Sequence, residues 1–151
     1  IECGAISADH LEFCNNDDIL SMKESEIVPT ILPGAAFFLN LPFPPARKII
    51  DNNLALALAS DFNPGSSHSG NMKLMMSIAC IQYKLTPEES FNAATINSSY
   101  AMNLQNEVGS ITQGKLANLI ITKTINGIVS LPYNFGTDFI DTVLINGRRF
   151  G

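Results

Sequence analysis

Leu54-Ala-Leu-Ala-Leu-Ala-Ser60-Asp61-Phe62-Asn63-Pro64-Gly65-Ser66-Ser67 is the stretch that decides the fold. Its first six residues alternate large and small with period two, the pattern of a strand buried on both faces. Leu54, Leu56 and Leu58 share one face, and Ala55, Ala57 and Ala59 share the other. Asp61 has the parity of the alanines, so it is expected to project from the small-lined face at the strand's carboxyl end. In a (β/α)8 barrel that face is the lumen, and that end carries the chemistry. Pro64 and Gly65 break the strand, leaving Asn63 to Ser67 as a polar loop over the same mouth. A carboxylate there is a metal ligand, a general base or a hydrogen-bonded structural Asp, and the local pattern leaves all three open.

Upstream, Gly4 to His10 reads as a short strand with Ile6, Ala8 and His10 on one face. Asn15-Asn16-Asp17-Asp18 supplies the cap and acidic first turn of a helix through about Lys23. Ile27 to Leu32 reads as a second strand stopped by Pro33-Gly34, and Ala35 to Phe43 as a loop whose aromatics roof a pocket. Pro44-Pro45 starts a helix through Asp51 that buries Ile49 and Ile50. Strand, helix, strand, helix, strand is the rhythm of a parallel sheet. Three such strands do not close a barrel, which needs eight and usually ~250 residues.

Downstream, Asn71 to Leu85 is apolar nearly all round and reads as a buried helix, with Met72, Met75, Met76 and Ala79 as core packing. Thr86-Pro-Glu-Glu89 is a capping box opening a helix to about Ala101. Beyond Asn103 the texture changes. Val108 to Thr112, Asn118 to Thr122 and Phe139 to Ile145 read as short strands, with Asn146-Gly147 as a type I′ hairpin turn. The expected organisation is an α/β unit over residues 1–103 and a small antiparallel β unit over 104–151.

The chain has 151 residues, a net charge of −5 and 15% charged residues, which fits a soluble protein with no basic footprint for nucleic acid. No apolar run reaches the ~18 residues of a membrane span. The start lacks the basic and apolar regions of a signal peptide. Cys3, Cys14 and Cys80 form no CxxC pair and are expected as reduced thiols in the cytoplasm, so a zinc–cysteine site is not expected. The absent initial Met and early first element suggest a piece of something longer. His10 and Asp61 end two strands of one sheet, which should bring them to one mouth. His68, in a Ser/Gly loop, reads as solvent-facing; Arg47 could pair with an anionic substrate but reads first as a solvated helix residue.

Several segments together resemble the imidazolonepropionase family of the amidohydrolase superfamily. They are Ser7-Ala-Asp-His-Leu-Glu12, Ile31-Leu-Pro-Gly-Ala35, Ala57-Leu-Ala-Ser-Asp-Phe-Asn-Pro-Gly-Ser66 and Leu85-Thr-Pro-Glu-Glu89. Ala94-Thr-Ile-Asn97, Gly109-Ser-Ile-Thr-Gln-Gly114 and Leu131-Pro-Tyr-Asn-Phe-Gly136 follow in order. Asp-Phe-Asn-Pro-Gly-Ser is the most family-specific piece; Gly114-Lys-Leu-Ala-Asn-Leu119 is a superfamily type. Asn118 departs from the usual Asp, and His68 from an expected Pro. The resemblance implies the carboxyl-terminal portion of a (β/α)8 TIM barrel, about strands six to eight, followed by strands of a small β-sandwich. It also implies one divalent metal, Zn2+ or Fe2+, with Asp61 as one ligand and the others outside this chain, since no His-x-His occurs here.

The implied reaction is hydrolysis of the ring amide of 4-imidazolone-5-propanoate to N-formimidoyl-L-glutamate in histidine degradation. Water needs help for this, and a bound metal lowers its pKa from ~15.7 to ~7. The resemblance gives Asp61 the metal and the water's proton, and gives His10 the reacting carbonyl. It assigns substrate contacts to Asn63 by its amide, Gly65 by its N–H and Ser66 by its hydroxyl. A small-molecule substrate and a homo-oligomer, a dimer, are implied, with no nucleic acid or membrane partner. Rival readings are another amidohydrolase (a hydantoinase, dihydroorotase or base aminohydrolase), or a non-catalytic α/β module binding anions at Gly65-Ser-Ser-His-Ser-Gly70. The latter lacks Gly-x-Gly-x-x-Gly and a P-loop Lys. Alone, the chain is expected to be inactive and unstable, with both outer edges of its parallel sheet open.

Overall fold

In the computed structural model, which describes residues 3–150, three parallel strands lie side by side in the order β1 (Ser7–Asp9), β2 (Val28–Ile31) and β3 (Ala57–Leu58). Ile1, Glu2 and Gly151, the outermost residues of the two expected units, lie outside the described residues. Asp9 pairs with Thr30, and Thr30 with Ala57. Helices carry the chain back between strands, as parallel pairing requires: α1 (Asn16–Lys23), then α2 (Pro33–Phe38) and α3 (Ala46–Asp51). Asn15 caps α1, its Oδ1 accepting from the N–H groups of Asp17 and Asp18 while Asp18 accepts from the Asn15 N–H. Such a cap contributes about 1 kcal/mol. Ile19 and Met22 face inward from α1, onto a core that includes Ile31, Ile49, Leu58 and Met75.

Several expectations are corrected here. β1 begins at Ser7, not Gly4, and His10 lies beyond its end. The six-residue alternation yields a strand only at Ala57–Leu58, because β2 offers partners only through Thr30 and Ile31. Burial on both faces holds for Leu56, Ala57 and Leu58, whereas Ala55 is exposed. Ala35 to Phe43 is not all loop. Pro33, whose fixed φ and missing N–H suit the first helical position, opens α2 there. Gly34 sits in its first turn, where a Cβ would stand 2.5 Å from Ser67 Oγ.

α4 (Met72–Gln82) is capped by Asn71 and buries Met75 to Ala79, as its apolar composition predicts. α5 (Pro87–Asn92) starts on the expected Thr86/Glu89 capping box. It runs through a π turn, Ala93–Asn97, into α6 (Ser98–Ala101). The wider turn sets two side chains against the outer edge of β3. Asn97 Nδ2 donates to the Leu56 carbonyl at 2.9 Å, and Ser98 Oγ meets the Leu58 carbonyl at 3.1 Å and its N–H at 3.4 Å. That edge is therefore capped rather than open. Unpaired strand groups are costly when buried, and here helix side chains satisfy them.

A second sheet, antiparallel, comprises β4 (Leu119–Thr122), β5 (Ile140–Ile145) and β6 (Arg148–Phe150). Asn146 and Gly147 both take positive φ, +51° and +75°, as a type I′ turn demands. Val108 to Thr112 forms no strand. Lys115 Nζ takes up the Val108 carbonyl and the Ser110 hydroxyl instead, while Gly109 at φ +89° lies against Ser99. α7 (Ser130–Tyr133) packs on α4, with Ser77 Oγ donating to the Pro132 carbonyl.

Candidate functional site

Because β1, β2 and β3 are parallel, the residues that follow β1 and β3 emerge at the same edge of the sheet, flanking β2. His10 and Asp61 occupy those two places, as expected. Both leave the extended conformation: His10 has φ +73°, the adjacent Leu11 +69° and Asp61 +51°. Among non-glycine residues Asn, Asp and His adopt left-handed backbone most readily, so Leu11 is the uncommon one of the three, and such backbone clusters at sites where the surroundings enforce it. The direction of the Asp61 carboxylate is thus set by this local turn and not by strand parity.

Around Asp61 the loop is tied by its own polar groups. Ser66 Oγ donates to Asp61 Oδ2 at 2.8 Å. Asn63 Nδ2 donates to Ser66 Oγ and to the Asp61 carbonyl, both at 2.7 Å. Asn63 Oδ1 accepts from the N–H groups of Gly65 at 2.8 Å and Ser66 at 2.9 Å. An amide has two donors and two acceptor positions, so the Asn63 side chain is fully engaged. Below, Ser67 is buried and its Oγ donates to the Ser60 carbonyl at 2.7 Å, anchoring the loop against Gly34. His68 is exposed, yet it is not free in solvent. Its Nε2 lies 2.6 Å from the Pro64 carbonyl, and its ring stacks on Phe38 at 5.6 Å between centroids. Phe37, Phe38 and Phe62 are exposed, and Phe38 reaches this region through its stacking on His68.

On the β1 side, His10 Nδ1 lies 3.3 Å from Glu12 Oε1. The imidazole is half exposed, whereas the Glu12 side chain is only 7% exposed. Glu12 had no role in the sequence reading; its spacing of two residues from a histidine after a strand end was the available signal. Tyr83 is buried, its ring meets Phe43 edge-on at 5.1 Å, and its hydroxyl has no partner among the described residues. Burial, with a smaller contribution from the Glu12 charge, pushes its phenol pKa up.

Arg47 is not a loose surface cation. Its guanidinium grips Glu89 with two bonds, 2.8 and 3.0 Å, and reaches Asp51 at 2.9 Å. These contacts lower the Glu89 pKa, the Arg47 bonds being the largest cause. Arg47 is therefore a clamp between α3 and α5. Among the described residues no group of three or more His, Cys, Asp or Glu is placed to hold a metal. Ser66 occupies Asp61 Oδ2, and no hydrogen bond among the described residues is recorded to Asp61 Oδ1.

A family model described as the Amidohydrolase family matches residues 16–150. Among individual proteins, the chain is 55% identical over 148 residues to the imidazolonepropionase of Christiangramia forsetii, covering 98% of this chain and 36% of that protein. It is 52% identical to the imidazolonepropionase of Flavobacterium johnsoniae, with the same coverages, and 45% to that of Bacillus cereus, over 97% of this chain and 35% of the relative. The chain thus spans little more than a third of these relatives. Solved structures of similar shape include an adenosine deaminase from Xanthomonas campestris with bound zinc (TM-score 0.85, 21% identity), covering 95% of this chain and 36% of the deaminase. A guanine deaminase from E. coli superposes with a TM-score of 0.78 at 14% identity, over 95% of this chain and 38% of its own. At such identities the likeness concerns the fold alone.

Proposed function

The chain belongs to the amidohydrolase family, and from that premise we propose that it is the carboxyl-terminal part of an imidazolonepropionase. In this reading the full-length protein opens the ring amide of 4-imidazolone-5-propanoate with water to give N-formimidoyl-L-glutamate. The observation that carries it is the 55% identity over 98% of the chain to a protein of that name. β1, β2 and β3 are then strands six to eight of a (β/α)8 barrel, and β4 to β6 belong to a small β-sandwich completed by earlier segments. Ile120 and Ile121 support this need for cover. As neighbours on β4 they point to opposite faces, yet they are 63% and 47% exposed.

Asp61 Oδ1 is the oxygen this chain would give to a divalent metal, Zn2+ or Fe2+; the remaining ligands come from preceding residues. Such a metal, when bound, supplies the acidification that makes water a usable nucleophile at neutral pH. Asp61 takes up the proton of the attacking water. The Glu12 carboxylate at Nδ1 turns the His10 ring so that Nε2 meets the amide carbonyl, whose developing negative charge it stabilises. Asn63, Gly65 and Ser66 border the space the substrate fills. Cys3, Cys14 and Cys80 are unpaired, which supports the cytoplasm as the compartment. No helix among the described residues is long and apolar enough to cross a membrane.

The test is to extend the coding sequence upstream and assay the full-length protein. A His-x-His motif should appear, and hydrolysis of 4-imidazolone-5-propanoate should vanish with a chelator and return with Zn2+ or Fe2+. Turnover of a hydantoin, dihydroorotate or a purine base in its place would overturn the substrate assignment.

A further inference from the structure

We propose that His68 is a positioning residue: it clasps the loop after β3 to α2 and so places the residues that border the substrate. The inference rests on the reading of Asn63, Gly65 and Ser66 as that border. His68 has two attachments. Its Nε2 lies 2.6 Å from the Pro64 carbonyl, and its ring stacks on Phe38 with 5.6 Å between centroids and 25° between planes. A carbonyl oxygen only accepts, so Nε2 carries the hydrogen and donates it. The first attachment closes the loop on itself across four residues. The second ties it to the helix that follows the neighbouring strand, β2.

The bonds of the Asn63 amide make Asp61 to Ser66 one tied unit, so they set its shape. Its placement depends on what joins that unit to the rest of the fold. At the inner end, buried Ser67 holds the Ser60 carbonyl and lies against Gly34. Gly34 and Phe38 are four residues apart and therefore share one face of α2. That face meets the loop twice, at Gly34 through Ser67 and one turn further along at Phe38 through His68. The inner contact is buried, whereas the outer one joins two exposed rings, Phe38 being 59% exposed. The backbone adds little beside it: Asn63 N–H reaches the Ser67 carbonyl at 2.9 Å, but the return bond from Ser67 N–H is long, 3.4 Å. The His68 contact with Pro64 closes the same turn as this pair, so its loss loosens both.

The experiment uses the full-length protein and the variants His68→Ala, Phe38→Leu and the two combined. It measures kcat and KM with 4-imidazolone-5-propanoate, and hydrogen exchange across residues 61–70 without substrate. A hydrogen bond or an aromatic pair each shifts a local equilibrium by about 3–10-fold. His68→Ala loses both, so exchange at the Asn63 and Ser67 amides should quicken by about 10-fold. KM should rise by about 3–10-fold as the correctly placed population falls. Bound substrate restores the placement, so kcat should stay within about twofold of wild type. Phe38→Leu should raise KM less, and the double variant should match His68→Ala, because the stack is already gone. An unchanged KM in His68→Ala, losses that multiply in the double variant, or a kcat that falls as far as KM rises would each overturn the proposal. Exchange is read without substrate and separates the clasp from the functional reading. A wild type that does not hydrolyse 4-imidazolone-5-propanoate would overturn that reading, and unchanged exchange in His68→Ala would overturn the clasp whatever the substrate.

Discussion

Replacing Glu89 by Ala removes two supports at once, and the structure sets the size of the loss. The carboxylate closes the cap of α5 by accepting from the Thr86 N–H at 2.8 Å, a contact whose loss costs about 0.5–1 kcal/mol. It also anchors Arg47 in a two-bond fork, with the side chains 35% and 29% exposed. At that exposure, solvent screening holds the pair to about 1 kcal/mol. The sum, roughly 2 kcal/mol, corresponds to a ~30-fold loss of hydrogen-exchange protection in the first turns of α5, with α1 unaffected. The sign with pH follows from the direction of the shift. Because the folded-state pKa of Glu89 is lowered, its ion-pair contribution is present above the unfolded carboxylate value and is lost as pH falls through the folded value. Protection of wild type and Glu89→Gln, measured from neutral pH downward, should therefore converge in acid. A double-mutant cycle should give a coupling of about 1 kcal/mol for Arg47 with Glu89 and close to none with Asp51, whose side chain is 61% exposed. A protection change below about twofold in Glu89→Ala, or an undiminished difference in acid, would refute the clamp.

Other predictions concern the site in the full-length protein. Asp61→Asn should fold normally, since the amide still accepts from Ser66, yet lose metal affinity and turnover by more than ~100-fold, beyond the scale of losing an outer partner; metal titration and initial rates check this. His10→Ala should keep its metal content by elemental analysis while kcat falls by about 10²–10³, the usual loss for one oxyanion donor. Gly34→Ala places a Cβ 2.5 Å from the buried Ser67 hydroxyl and 3.0 Å from Met75 Sδ. Overpacking of this kind costs about 1–3 kcal/mol, so thermal unfolding should move to lower temperature; an unchanged melting point would show that the loop yields freely.

Local chemistry in the sequence determined the elements whose ends are closed by neighbours. The caps at Asn15, Asn71 and Thr86 and the Asn146-Gly147 turn lie where their side chains and permitted φ values place them, because these interactions span four residues or fewer. The motif around Asp61 was legible for the same reason, whereas the shared edge that carries His10 and Asp61 followed from the strand–helix rhythm of a parallel sheet. Tertiary structure alone decided how long β3 is, since strand extent depends on a partner contributed by β2. It also decided that Arg47 meets Glu89, 42 residues away, and that Asn97 and Ser98 cap β3 across about 40 residues. The fate of the Asn63 amide belongs with these. Its residue type announced a polar group, but only the folded loop showed that both its donors and its acceptor were spent on Asp61, Gly65 and Ser66. Hydrogen-bonding capacity is a property of the side chain, whereas its allocation depends on which groups the chain brings within 3 Å.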